Sequence, residues 1–266
     1  MLIAQLSDTH VSNPGKRFGG RKDTREAFKR ALSRIGSLNP KPDLLLLSGD
    51  LAETGAPEEY DFIAEQLSRM SCPVVAIPGN HDIREEMLRK LPDYVCAQDG
   101  GHLSFVHDAL PLRVIGLDTI IPGEVNGELC EQRLAWLEQA LERGRGKSTL
   151  LAMHHPPVKT GFLAMDNYGI RQGTEAFASL VAKYTGDIRA IVSGHVHRTI
   201  FGSLSGVPVL VAPASSLAFE LDLGERPSLN FIEEPPQFLV HRWSGESGLT
   251  SHVAFVDEFS GPFPLS

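Results

Sequence analysis

The chain has 266 residues, 42% of them hydrophobic and 22% charged, which is enough apolar material for a sizeable core and excludes a disordered protein. Its formal charge of -8, from 25 Lys and Arg against 33 Asp and Glu, argues against long DNA or RNA as a partner. Small phosphate esters stay open, because a bound cation reverses the local field whatever the global sign.

Residues 2–7 read as an apolar strand that ends in Asp8-Thr9-His10, and residues 24–38 as a helix with Ala27, Phe28, Ala31, Leu32 and Ile35 on one face. A second strand, 43–48, ends in Gly49-Asp50 and precedes a helix over 58–70; a third, 73–78, ends in Gly79-Asn80-His81-Asp82. Strand 114–117 precedes a helix over 131–143. Strand 149–153 ends in His154-His155, and strand 188–193 in Gly194-His195-Val196-His197. This alternation indicates an α/β fold with helix-covered sheets, and the polar clusters fall at strand carboxyl ends, where such sheets place ligands. Beyond residue 200 the pattern is β-like, over 207–212, 237–243 and 249–256, which reads as a second sheet packed on the first plus a C-terminal hairpin. Residues 224–236, with three prolines, read as a loop. The expected division is a catalytic domain over 1–220 and a β-rich extension over 221–266 that completes or flanks the second sheet.

Cys72, Cys96 and Cys130 are widely spaced and form no CxxC, so neither a disulfide framework nor a thiolate zinc site is indicated. A reducing cytoplasm is the expected compartment. The N-terminus meets Asp8 before any signal-like apolar stretch, and no run approaches the roughly 18 apolar residues of a membrane span.

In extended backbone, residues i and i+2 point to the same side, so Asp8 and His10 can both reach one ion, and His195 and His197 can reach that ion or the ions beside it. The glycine before Asp50 permits a sharp turn and leaves room beside a carboxylate that can bridge; a simple helix cap is the alternative for Asp50. Asn80 offers a neutral amide oxygen and leaves His81 free for catalysis. Neighbouring side chains diverge, so only one of His154 and His155 should bind metal; His154 is taken as the ligand and His155 goes to the substrate pocket or to a supporting role. Asp82 either orients a neighbouring imidazole, supports its loop, or caps a helix that starts after it. His102, His107, His241 and His252 read as structural or surface residues. Oxygen and nitrogen ligation without thiolate suits Mn, Fe, Co or Zn.

The ordered set Asp-x-His, Gly-Asp, Gly-Asn-His-Asp, His and Gly-His-x-His resembles the signature of the calcineurin-like metallophosphoesterase superfamily over about three quarters of the chain. Ser7-Asp8-Thr9-His10, Pro57-Glu58-Glu59-Tyr60, His154-His155-Pro156-Pro157 and Met165-Asp166 are similar to class III cyclic nucleotide phosphodiesterases and the bacterial glycerophosphodiesterases related to them. The resemblance implies a four-layer α/β/β/α sandwich holding two divalent or transition metal ions. It assigns Asp8, His10, Asp50 and His197 to one ion and Asp50, Asn80, His154 and His195 to the other, with Asp50 as the bridge. The implied reaction is hydrolysis of small phosphodiesters, 3',5'-cyclic nucleotides such as cAMP ahead of glycerophosphodiesters, by hydroxide attack on phosphorus between ions about 3.5–4 Å apart. His81 would stabilise the developing charge or protonate the leaving alkoxide.

Substrate contacts are expected from Asn80, His81 and His155, and from Met165, Asp166 and Asn167 in the loop over 158–173, which also holds Phe162, Tyr168 and Arg171. The basic loop over 11–22, with Lys16, Arg17, Arg21 and Lys22, is a second candidate wall. A homodimer or larger homo-oligomer is expected by analogy. A non-enzymatic scaffold of this fold would be expected to lack a ligand, and none of the seven is missing.

Overall fold

The computed structural model describes residues 1–225 and 228–265. In chain order its elements are β1 (Leu2–Leu6), α1 (Thr24–Gly36), β2 (Leu44–Ser48), α2 (Pro57–Leu67), β3 (Val74–Ile77), α3 (Arg84–Lys90), β4 (Phe105–His107), β5 (Arg113–Leu117), α4 (Glu131–Arg143), β6 (Thr149–Met153), α5 (Leu163–Asp166), α6 (Thr174–Lys183), β7 (Ile188–Ser193), β8 (Ile200–Leu204), β9 (Val207–Val211), β10 (Ala218–Phe219), β11 (Phe231–Ile232), β12 (Gln237–Ser244) and β13 (Gly248–Phe255). A five-stranded sheet has the order β13-β12-β1-β2-β3 and a six-stranded sheet the order β4-β5-β6-β7-β9-β8.

The strands that carry the polar clusters pair in parallel, β1 with β2, β2 with β3, and β6 with β7. Parallel pairing brings their carboxyl ends, and the loops that follow, to one end of the sandwich. Both faces of these strands are covered, so they are continuous apolar runs, and the pleat sorts each run by parity. In β2, Leu45 and Leu47 pack with Phe28, Ile35, Tyr60 and Ile63 of α1 and α2. Leu44 and Leu46 face the other way, into the layer shared with Leu150, Ala152, Ala190 and Val192 of the second sheet. In β6, Leu151 and Met153 pack under α4 and α6 with Leu137, Leu141, Phe177 and Val181. The result is the expected α/β/β/α sandwich, whose interior lies between the two sheets and under each helical layer.

The sandwich differs from the sequence expectation in how its strands are shared out. The extension over 221–266 was expected at the second sheet. Its hairpin β12-β13 instead pairs antiparallel with β1 in the first sheet, where Leu2 lies opposite Arg242 and Gln5 opposite Leu239. The physical reason is an open edge: β2 occupies one side of β1, and β12, with Phe238, Leu239 and Val240 buried, covers the other. The six-stranded sheet is completed by β8 and β9. Helix α3 agrees with the helix expected after Asp82, helices α5 and α6 were not foreseen, and the loop over 224–236 contains β11. Among the described residues, no helix is long and apolar enough to cross a membrane.

Candidate metal centre

The loops after β1, β2 and β7 leave their strands by an unusual backbone route. Asp8, His10, Asp50, His195 and His197 all have positive φ, between 43° and 71°, a region that costs a non-glycine residue of order 1 kcal/mol or more. Such residues persist where the surrounding structure fixes them, and here they share one site. Three glycines allow the loops to close on each other. A Cβ on Gly49 would lie 2.4 Å from His154 Nδ1, one on Gly79 would lie 2.2 Å from Asp50 Oδ1, and one on Gly194 would lie 2.0 Å from Ser7 Oγ.

The donor atoms converge in two overlapping groups. His10 Nε2 lies 3.1 Å from His197 Nε2, His197 Nε2 lies 3.5 Å from Asp8 Oδ1, and His10 Nε2 lies 3.6 Å from Asp50 Oδ2. The same Asp50 Oδ2 is 3.4 Å from His154 Nε2, which is 3.3 Å from Asn80 Oδ1. The ring of His195 lies beside that of His154, with centroids 5.2 Å apart. Asp50 is therefore common to both groups, and its other oxygen, Oδ1, accepts the His81 main-chain N–H at 2.8 Å.

Each of these imidazoles has its remote nitrogen engaged. His10 Nδ1 lies 2.7 Å from Glu53 Oε2, His197 Nδ1 donates to Leu217 O at 2.7 Å, His154 Nδ1 donates to Ser48 O at 2.9 Å, and His195 Nε2 donates to Tyr168 O at 3.0 Å. That pattern presents the other nitrogen as a lone pair, which is how metal-binding histidines are oriented. Burial holds His10 and His195 well below the ordinary imidazole range, so they are neutral donors. The ring nitrogens of His10 and His197 face each other 3.1 Å apart while their Nδ1 atoms are engaged elsewhere, an arrangement that a cation between them reconciles. His154 is pushed up to about 9; burial opposes its charging, but the Asp50 carboxylate outweighs it. The second group therefore also favours a positive charge. The donor set, carboxylate and amide oxygens with imidazole nitrogens and no thiolate, fits two divalent cations.

Behind the donors, Asp82 joins two loops. Its carboxylate accepts Leu51 N at 3.0 Å, Ala52 N at 3.1 Å, Gly79 N at 2.9 Å and the Tyr60 hydroxyl at 3.0 Å. Burial and the neighbouring Asp50 charge push it up to about 6. The helix-cap alternative fails, because α3 is preceded by Ile83 and begins at Arg84. Asp50 is no cap either, since the next helix starts at Pro57. Glu53 serves two histidines, one through its carboxylate on His10 and one through its carbonyl, which accepts His81 Nδ1–H at 2.7 Å.

The sequence profile described as calcineurin-like phosphoesterase matches residues 1–199, three quarters of the chain. The chain belongs to the calcineurin-like phosphoesterase family. A relative from Arcobacter nitrofigilis, named "Probable glycerophosphodiester phosphodiesterase GpdQ", is 38% identical over 265 residues, covering 100% of this chain and 97% of its own. A cAMP/cGMP dual specificity phosphodiesterase of Mycobacterium tuberculosis is 30% identical over 261 residues, 90% of this chain and 78% of that one. Among solved structures, a dimetal phosphatase from Danio rerio superimposes with a TM-score of 0.64 at 12% identity, over 97% of this chain and 99% of that chain, which shows the shared fold. For a member of this family two divalent ions are implied, and the convergent groups are where this chain could hold them.

The structure brings all seven expected ligands of this calcineurin-like phosphoesterase to one place, and it redistributes the expected substrate residues. Asn80, His81 and Met165 line a cleft of about 290 Å3 over the donors. His155 does not. It is fully buried, its Nδ1 lies 2.8 Å from Thr119 Oγ1, and its Nε2 lies 3.0 Å from Val125 O, so neither nitrogen reaches the cleft. Burial, with His154 beside it, holds it down at about 3, which makes it a neutral strut. Asp166 accepts Thr160 N at 2.8 Å and Gly161 N at 3.0 Å and shapes its own turn, outside the cleft lining. Asn167 also stands outside that lining, with its carbonyl accepting Asn126 Nδ2 at 3.0 Å. The basic side chains of the 11–22 loop stay away from the cleft, and Phe18 is the residue of that loop that lines it. Glu53, Phe219 and Phe231 were missed. Only Glu53 carried a signal, an acidic residue three positions after Asp50.

Proposed function

We propose that this protein is a dinuclear-metal phosphodiesterase for small phosphodiesters, with 3',5'-cyclic nucleotides such as cAMP ahead of glycerophosphodiesters. The observation that carries the reading is the convergence of seven O and N donors around Asp50 Oδ2, beneath an open cleft. Asp8, His10, Asp50 and His197 would hold one ion and Asp50, Asn80, His154 and His195 the other, as Mn, Fe, Co or Zn. When bound, such ions offset phosphate charge and acidify water for in-line attack.

The chain's own residues do the rest. Asn80 and His81 line the cleft floor beside Asp50. His81 Nδ1 is tied to the Glu53 carbonyl, which leaves Nε2 as the ring nitrogen able to meet the substrate. That atom is placed to stabilise charge on the phosphoryl group or to pass a proton to the leaving alkoxide. Residues 1–220 would act as the catalytic unit and 221–266 as an extension that completes its first sheet. The cysteine pattern supports action in a reducing cytoplasm. The glycerophosphodiester reading has its own support in the relative that matches this chain end to end.

The test is steady-state kinetics of protein loaded with each of the four metals against cAMP, cGMP, glycerophosphoethanolamine, bis(p-nitrophenyl) phosphate and p-nitrophenyl phosphate. Diester turnover is expected, with cAMP favoured. His81→Ala should keep both metals and lose about 10²–10⁴ in kcat. Turnover of no ester with any metal would overturn the reading in favour of a scaffold.

A further inference from the structure

The walls of the cleft are apolar and are built on the donor histidines themselves. Phe18 stacks on His10, with centroids 4.4 Å apart and planes 12° apart, and Phe219 stacks on His197 at 4.4 Å and 20°. Phe231 closes over both, edge-on to Phe18 at 5.1 Å and stacked on Phe219 at 5.2 Å. Phe18 and Phe219 are buried by this arrangement, while Phe231 keeps 43% of its surface exposed and its neighbour Leu229 keeps 45%. On the His195 side stand Tyr168, 43% exposed, and Val125, 45% exposed. Their carbonyls accept His195 and His155, so this wall is also fixed to the histidine cluster.

Charge is missing from both walls. Among the described residues that line the cleft there is no lysine or arginine, and its one carboxylate is Asp50. The nearby arginines are occupied elsewhere: Arg17 donates to Arg21 O, and Arg21 pairs with Glu233 at 3.2 Å. The cleft can therefore neutralise a phosphate only at the centre itself, and it offers the ester group flat aromatic and aliphatic surface. A charged or hydroxyl-rich alcohol would lose water there and find, among the described wall residues, the Tyr168 hydroxyl as its one polar side-chain partner. An aromatic or nucleoside group would bury apolar area and stack. A cationic alcohol would find ring faces but no spare carboxylate beside them.

We propose that Phe231 and Tyr168 are specificity-determining residues, two jaws that grip the flat ester group of a phosphodiester and favour aryl and nucleoside esters over glycerol esters. The inference rests on the phosphodiesterase reading of the same centre.

Its test compares the parent with Phe231→Ala, Tyr168→Ala and the double variant. Substrates are cAMP, bis(p-nitrophenyl) phosphate, glycerophosphoethanolamine and glycerophosphocholine. In either single variant the ratio of kcat/KM for the aromatic esters to that for the glycerol esters should fall about tenfold, mainly through KM. An equal loss for all four substrates would overturn the proposal, and so would a parent preference for the choline ester that these variants abolish, which would mark a cation cage. Calorimetric binding of adenosine 3',5'-cyclic phosphorothioate to the manganese-loaded protein reads the same contact without turnover. Its Kd should weaken about tenfold in each variant, and an unchanged Kd in both would overturn the jaws. A protein that hydrolyses nothing yet shows this loss of binding would defeat the proposed activity and leave the jaws standing.

Discussion

Asp82→Asn should loosen the metal centre from behind without removing a ligand. Asp82 is 5% exposed and takes four donors, Leu51 N and Gly79 N at Oδ2, Ala52 N and the Tyr60 hydroxyl at Oδ1. Through them it binds the loop that carries Asp50 to the loop that carries Asn80 and His81. Asparagine has the same shape but a single oxygen. With that oxygen kept for Leu51 and Gly79, the amide nitrogen faces the other two donors. Tyr60 can turn its hydroxyl to accept, while the Ala52 N–H is left without an acceptor. A buried unsatisfied donor costs about 1–3 kcal/mol, and exchanging charged for neutral acceptors adds roughly 1 kcal/mol, so the variant should lose about 2–4 kcal/mol. For a chain of this size that lowers the thermal midpoint on the order of 5–15 °C. Calorimetry at pH 8, where a group with a pKa of about 6 is ionised, reads the stability, and elemental analysis after dialysis reads the metal content, which should also fall. A midpoint within about 2 °C of the parent, with both metals retained, would refute the loop-clamp role.

Glu53→Gln should weaken the ion that His10 holds by about 10–100-fold and leave the other nearly unchanged, because the carboxylate that orients that imidazole is lost; stepwise metal titration by calorimetry separates the two sites. Equal weakening at both sites would show that Glu53 acts on the loop as a whole. Burial holds His241 at about 4 against 6.5 when unfolded, so the unfolded chain binds more protons between those values and stability rises with pH across that window. About 3 kcal/mol should be lost as pH falls from 6.5 towards 4, and His241→Gln should show a flatter profile in urea titrations at pH 7 and pH 4.5; an identical slope would sink the assignment.

The side chains that converge around Asp50 were legible in the sequence as candidate donors because each follows an apolar run of strand length, and parallel strands of this kind bring such ends together. Their division between ions came from resemblance, since spacing says nothing about which loop folds over which. Partnership of strands was not legible. Periodicity identifies β12 as a strand, yet its partner β1 lies more than 230 residues earlier, and only the open edge decides the pairing. Helix α3 was legible only as the helix that Asp82 could have capped, because it buries only Met87 and so has no apolar stripe to read. His155 shares a motif with His154, and the bend that follows β6 sends one ring into the centre and the other under Thr119. The aromatic wall had no local pattern at all: Phe18, Phe219 and Phe231 meet because the small β10-β11 hairpin folds back over the loop after β1.

The position of the centre follows from the dimensions of the two sheets. Neighbouring strands lie about 4.8 Å apart and packed sheets about 10 Å apart, so the mouth of a sandwich is wide enough for two ions but too wide for either sheet alone to enclose them. Each ion, as assigned, draws on both sheets: Asp8, His10, Asp50 and Asn80 follow strands of the first, and His154, His195 and His197 follow strands of the second. Side chains in ordinary extended backbone would stand along the strand faces. The left-handed residues at Asp8, His10, Asp50, His195 and His197 turn the loops so that the donors point into the seam instead. Holding that seam in register takes buried polar ties below it. Gln5 of β1 donates to Ser48 Oγ at 2.9 Å and to Ser193 O at 3.1 Å, and its own oxygen lies 3.0 Å from His241 Nε2. Ser48 and Ser193 are the last residues of β2 and β7, so one glutamine sets the height at which the Asp50 and His195 loops depart. A polar residue in the middle of an apolar strand is therefore part of how this chain aligns its two halves around the convergent donors.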